Sequence, residues 1–319
     1  MLAKLSLLPL LAAVSASPLL DARAPVASLN ERATSCNSEA AVGAAVTCSA
    51  DACPNVQSNG AKIVGTFAGA VSGLTGFVAT DPVRKNIVIA VRGSNNLRNW
   101  ISNVLFFFDK CDFVDDCKVH TGFSNGYNEI KSALLASVKS AKAANPSYTV
   151  VAVGHSLGGA VVTIAAADLR RSGYPTDIYT YGSPRVGNDA FANFVSKQAG
   201  AEYRITHIDD PVPRLPPILF GYRHTTPEYW LNGGNATTID YGLSDIKVCE
   251  GDANTNCNGG TFGLNVDAHL YYFRRLGACS TSGFGFRSRQ EDISDEDLAT
   301  RLTYWAEQDI VYSKSLGQS

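Results

Sequence analysis

The stretch TVVAVGHSLGGAVVTIAAADLRR, residues 149–171, constrains the fold more than any other part of this chain. Residues 149–153 form a continuous β-branched apolar run of strand length, and residues 157–171 are rich in small and helix-forming side chains as far as Gly173. Between them Gly154-x-Ser156-x-Gly158 fits a sharp strand-to-helix turn whose serine is held in strained geometry, so that its neighbours must be small. The same five-residue pattern occurs around Ser124, in GFSNG, but there a polar, cysteine-flanked loop, KCDFVDDCKVHT, precedes it and the helical pattern begins at Tyr127. Only Ser156 has the strand, turn and helix that would present a hydroxyl to a substrate. Ser124 is read as structural.

A serine hydroxyl is a poor nucleophile at neutral pH and needs a base, which an acid must orient. In this topology the order along the chain is serine, acid, histidine. His120 comes too early and His155 adjoins the serine, which leaves His207, His224 and His269. The segment AEYRITHIDDPVPRLPP reads as a strand ending in a loop, with Asp209 and Asp210 at its mouth. His207 lies on that strand and is expected in the core. His224, in GYRHTTPEYW, and His269, in NVDAHLYYF, both stay open as the base, with His269 favoured because it follows a long polar loop.

Composition narrows the setting. A formal charge of −2 over 319 residues gives no sign of a nucleic-acid partner, and no cofactor fingerprint or metal-ligand spacing is found. Lys4, the apolar run LSLLPLLAAV and the small residues VSA read as a signal peptide over 1–16, followed by a short pro-segment over 17–32. Eight cysteines agree with an exported protein. Cys48/Cys53, Cys111/Cys117 and Cys249/Cys257 are close enough to staple short loops, leaving Cys36 with Cys279. Asn235-Ala-Thr237 is a sequon, expected on a surface loop.

With those residues in view, the chain resembles the filamentous-fungal class 3 triacylglycerol lipases. The motifs that carry the resemblance are RGSNNLRNWISN, VGHSLGGA, YGSPRVGNDAF, YRITHIDDPVPRLPP, FGYRHTTPEYW and AHLYYF, spread over about Cys36 to Cys279. The resemblance implies a catalytic domain over 33–279 with an α/β-hydrolase-like fold: a mainly parallel central sheet, helices on both faces, disulfide staples. It implies Ser156 as nucleophile, Asp210 as acid and His269 as base, with the backbone N–H groups of Ser94 and Leu157 as the oxyanion hole. No cofactor or metal is implied. The expected partner is a lipid ester at a lipid–water interface, and the expected location is extracellular.

In NNLRNWISNVLFFF, residues Leu97, Trp100, Ile101, Val104 and Phe108 follow the spacing of one apolar helical face. Periodicity alone fits a core helix equally well. The family resemblance makes Leu97, Trp100, Ile101 and Val104 a lid over the serine. Rival substrates on the same machinery are phospholipids and feruloyl or other carboxylic esters, and a rival class is a secreted binding protein that keeps the fold without catalysis. The family domain commonly ends near the final cysteine, whereas this chain continues over 280–319, where Ser294, Asp297, Leu298, Leu302 and Trp305 signal a capped helix. That extension reads as a pro-region or a flap over the site, or as a helix merely packed on the surface. The sequence also lacks the tyrosine that this family usually carries just before its first cysteine.

Overall fold

The apolar run before Ser156 becomes strand β6 (Thr149–His155), near the middle of an eight-stranded sheet ordered β1-β2-β3-β6-β7-β8-β9-β10. A computed structural model describes residues 60–93, 100–102, 104–276 and 293–317. The sheet comprises β1 (Lys62–Ala68), β2 (Thr75–Asp81), β3 (Asn86–Val91), β6, β7 (Thr176–Tyr181), β8 (Glu202–His207), β9 (Glu228–Leu231) and β10 (Ile246–Cys249). From β3 through β9 neighbours run parallel, and the pairs at either end are antiparallel. Val150, Val151 and Ala152 are buried in succession, as expected of a parallel strand covered on both faces.

Helices α1 (Thr121–Ala144) and α2 (Leu157–Arg171) share one core with the sheet. α1 offers it Phe123, Tyr127, Ile130, Leu134, Val138 and Ala141, at the three- and four-residue spacing of one helical face. α2 is buried at every position from Gly158 to Arg170, and its alanines at 160 and 165–167 let it lie close to the sheet. A third helix, α3 (Asp189–Lys197), adds Phe191 and Val195 to the same core. The opposite face at the β7–β9 end is aromatic: the Tyr179 and Tyr203 rings stack at 4.7 Å, and Tyr203 meets Tyr229 at 5.5 Å. Tyr272, Phe273 and Tyr241 pack onto that side.

Two local expectations change. α1 begins at Thr121, six residues before the expected start, because the His120 ring accepts the Gly122 N–H at 3.0 Å and caps it there. Ser124 is therefore inside a helical turn. The helical face read through Phe108 also stops short. Residues 100–102 are helical, but Val104 is not, and Phe108 opens strand β4 (Phe108–Lys110) opposite His120 of β5 (Lys118–His120). Pairing across this hairpin, closed by the Cys111–Cys117 disulfide, overrides the helical periodicity.

The disulfide Cys249–Cys257 is formed as expected; Cys36, Cys48, Cys53 and Cys279 lie outside the described residues, as do the signal and pro-segments. After the short α4 (Val266–Leu270) comes α5 (Asp295–Ser315). The Ser294 hydroxyl caps it by accepting the Asp297 N–H at 3.0 Å, and Leu298, Leu302 and Ala306 are buried. Among the described residues no helix is long and apolar enough to cross a membrane.

Candidate active site

Ser156 sits between β6 and α2 at φ 56°, ψ −130°, a conformation that a serine adopts only under constraint from its surroundings. The constraint is close packing. A side chain on Gly154 would meet the Gly158 carbonyl oxygen at 2.3 Å, and one on Gly158 would meet the Val91 oxygen at 2.2 Å. Leu157 is the first residue of α2, so its N–H has no partner within the helix. Ser94 lies outside the described residues, but its neighbour Gly93 is so close that a β-carbon there would stand 3.2 Å from the Ser156 β-carbon.

β8 ends at His207 and the chain reverses through Ile208, at φ 36°, to set Asp210 in a fully buried position. The Asp210 carboxylate accepts the Val212 N–H at 2.9 Å and the Tyr272 hydroxyl at 2.5 Å, and Oδ2 lies 2.8 Å from His269 Nδ1. Burial alone would raise this carboxyl; His269 and the donated hydrogen bonds outweigh it and hold it below the ordinary carboxylate range. His269 is also fully buried, and its Nε2 has no hydrogen-bond partner among the described residues. The ring packs against His155, the residue before Ser156, with centroids 4.4 Å apart, and the His155 Nε2–H donates to the His269 carbonyl at 2.8 Å; no hydrogen bond joins the Ser156 hydroxyl to His269 Nε2. Burial, with His269 alongside, pushes His155 down to about 3, so it stays neutral.

The other two histidines are spent elsewhere. His207 donates from Nδ1 to the Ala268 carbonyl and bonds the Tyr241 hydroxyl through Nε2 at 2.6 Å. His224 donates from Nε2 to the Pro213 carbonyl at 2.7 Å, and burial beside Arg204 and Arg185 keeps it far below its usual range. Among the described residues, only His269 combines a carboxylate on one nitrogen with a second nitrogen left open.

The loops that carry the acid and the histidine are stitched together. Asn258 Nδ2 donates to the carbonyls of Ile208 and Asp210, Arg214 to those of Thr261 and Gly263, and Asn265 Nδ2 to Asp209. Asp209 is thus a tie between loops. Sequence reasoning missed Tyr272, Asn258 and Arg214. Tyr272 follows the end of α4, where the chain doubles back through a Tyr271–Arg275 bridge, and no sequence periodicity signals that reversal.

Ser156 is only 3% exposed. Of the expected cover, Ile101 is 1% exposed, and Trp100 and Val104 are half-buried; Leu97 lies outside the described residues. Asn235 is exposed in a turn, where Oδ1 accepts the Thr237 N–H at 2.9 Å. Among the described residues there is no cluster able to hold a metal ion.

The sheet order, the strained serine between β6 and α2, and an acid and a histidine delivered by later loops define an α/β-hydrolase. A family model for "Lipase (class 3)" matches residues 88–220. The chain is 53% identical over 281 residues to "Secreted mono- and diacylglycerol lipase 1" of Fusarium solani, covering 88% of this chain and 83% of that protein. It is 39% identical over 254 residues to "Secreted mono- and diacylglycerol lipase A" of Penicillium cyclopium, covering 78% and 82%. Among solved structures, the mono- and diacylglycerol lipase from Aspergillus oryzae superposes with a TM-score of 0.71 at 34% identity, covering 83% of this chain and all of that one. The chain belongs to the class 3 lipases and is a carboxylic ester hydrolase.

Proposed function

We propose that this lipase cleaves acylglycerol esters through an acyl-enzyme formed on Ser156, with His269 as base and Asp210 as the residue that orients it. The His269 Nε2 takes the proton from the Ser156 hydroxyl as its oxygen attacks the ester carbonyl carbon. The resulting oxyanion is held by the N–H groups of Leu157 and Ser94, a contribution of about 3–4 kcal/mol per donor in comparable sites. When the tetrahedral intermediate collapses, the carbon–oxygen bond to the glycerol breaks and the imidazolium returns its proton to the departing alcohol. Water, deprotonated by the same nitrogen, then frees the fatty acid and restores the serine. The observation that carries this reading is the His269 ring, fixed by Asp210 at Nδ1, open at Nε2, and packed on His155, the residue next to the strained serine.

The substrate is proposed to include mono- and diacylglycerols, because the relatives above are named for them. Triacylglycerol, the expectation from the sequence, is the comparison substrate. The burial of Ser156 and of Ile101 supports the cover reading of Leu97, Trp100, Ile101 and Val104, in which the enzyme opens at a lipid–water interface. Export by a signal peptide over 1–16, a pro-segment over 17–32, the disulfides Cys36–Cys279 and Cys48–Cys53, and a glycan on Asn235 complete a secreted catalytic domain over 33–279. The names of the relatives favour secretion.

The test is the initial rate against tributyrin concentration, carried through its solubility limit, for the protein and its Ser156→Ala variant, with mono- and dioleoylglycerol run alongside. A jump above the limit that disappears in the variant supports nucleophile and cover together. A smooth curve lost in the variant keeps the nucleophile and removes the cover. Activity that survives in the variant refutes the assignment of Ser156.

A further inference from the structure

The C-terminal helix α5 touches two different parts of the site at its two ends. Its later half is fastened by polar groups to the loops behind Asp210. The Asp309 carboxylate, 2% exposed, accepts the N–H groups of Ile218 and Leu219 at 2.8 and 3.0 Å and pairs with the buried Arg185 at 3.1 Å. The Ser313 hydroxyl donates to the Ala253 carbonyl at 2.7 Å. None of these partners belongs to the cover.

Its earlier half grips the cover. Leu298 and Leu302 are packed in one apolar cluster with Ile101, Val212 and Leu215, and Trp100, Val104 and Phe106 border it. Trp305 meets the edge of Phe106 with centroids 5.2 Å apart. Arg301 lies over the Trp305 ring at 5.4 Å and donates to the Ser102 carbonyl at 3.3 Å. Residues 100–102 and 104–106 cannot move away from α5 without breaking these contacts, whereas the anchors at Asp309 and Ser313 can stay in place.

We propose that α5 is a specificity-determining element: through Arg301 on Ser102 and Trp305 on Phe106 it holds the cover closed and so makes the enzyme favour aggregated esters over dissolved ones. The proposal rests on the reading of that segment as the movable cover. Dissolved ester meets the enzyme with the cover shut and reacts only through the small open population. An interface offers apolar surface to the freed cover and favours the open state. Contacts that exist only in the closed state set the size of that population, and therefore the ratio of the two rates.

The experiment measures tributyrin hydrolysis below and above its solubility limit for the full chain, Arg301→Ala and Trp305→Phe, with the melting temperature of each. Both substitutions lie away from Ser156, Asp210 and His269 and leave the Asp309 anchor intact. The expected result is a rise of about three- to tenfold in the rate on dissolved ester, with the emulsion rate and melting temperature little changed. Two rates that fall together with the melting temperature make α5 a support only and overturn the proposal. So does a ratio that stays at the wild-type value. A wild type with no jump at the solubility limit refutes the cover itself, and the role of α5 with it, whereas a wild-type jump that both variants keep refutes α5 alone.

Discussion

Two buried carboxylates, Asp210 and Asp309, each face a nitrogen base, and they do different work. Asp210 with His269 and Asp309 with Arg185 are both almost wholly out of water, at 2.8 and 3.1 Å. The difference is in the partner. An imidazole can exist neutral, so Asp210 can be lost without stranding a charge, and its loss removes orientation of the base. Burial pushes the Arg185 guanidinium down only to about 10, with Asp309 opposing the fall, so it keeps its charge at neutral pH. Arg185 also donates to the carbonyls of Arg214 and Pro216, so Asp309 neutralises a cation built into the loop behind Asp210. A buried ion pair is therefore no sign of catalysis in itself. The open Nε2 of His269 is what separates the two.

The sharpest way to break this contrast is Asp210→Asn. The rate constant kcat is expected to fall about ten-thousandfold, by analogy with loss of the orienting acid in other serine hydrolases, while the melting temperature changes little. Loss of folding with activity retained per folded molecule would reverse the roles assigned to the two pairs. Asp309→Ala should behave in the opposite sense, destabilising the fold by about 3–5 kcal/mol in urea unfolding because Arg185 is left charged and unpaired. Its kcat per titrated active site should stay within about threefold. Asp309→Asn, which keeps an acceptor for the Ile218 and Leu219 amides, should cost less than the alanine variant.

The ability of a histidine to shed its proton can be tested at His155. Its folded form is pushed down to about 3, whereas an unfolded histidine protonates near 6.5. Below about 6.5 the unfolded chain takes up a proton that the folded chain refuses. The stability is thus complete above that pH and declines towards about 3, with a slope of about 1.4 kcal/mol per pH unit from this residue. His155→Phe should make the plot of unfolding free energy against pH shallower by about that slope across this window. An unchanged slope would mean that His155 is charged in the fold, where it would compete with His269 beside Ser156.

The elbow was legible in the sequence because strand, turn and helix are contiguous: β6, Ser156 and α2 all lie within residues 149–171. The choice among His207, His224 and His269 was not legible from the residues alone, since each is buried and only the group opposite distinguishes them. Those groups are Tyr241, the Pro213 carbonyl and Asp210, two of them reached through long loops. Local pattern favoured His269 over His224 only slightly, and the family resemblance is what singled it out. Periodicity failed where it crossed an element boundary, at Phe108, because strand pairing with His120 outcompetes a helical turn. The capped α5 was readable from Ser294 and Asp297, but the partner of Asp309 lies 124 residues away and leaves no local trace.

Tyr272 gives the smallest and most discriminating effect. Its hydroxyl donates to Asp210 Oδ2 and helps hold that carboxyl below its ordinary range, while burial and the carboxylate keep the phenol far above its own. Tyr272→Phe removes one charge-assisted bond but leaves the Val212 N–H and His269 on Asp210. We expect kcat to fall about tenfold and the fold to lose about 1–2 kcal/mol at pH 7. A carboxyl with a depressed folded-state pKa contributes stability that is complete above its unfolded value of about 3.9 and is lost as pH falls through the folded one. The difference between Tyr272→Phe and wild type should therefore be constant from pH 7 to about 5 and should narrow below about 4, as Asp210 takes up a proton in both. A difference that persists unchanged to pH 3 would mean that the hydroxyl serves packing against Tyr181 and His207 and does not serve the carboxylate. Asp210 would then rely on His269 and the Val212 amide alone to stay ionised.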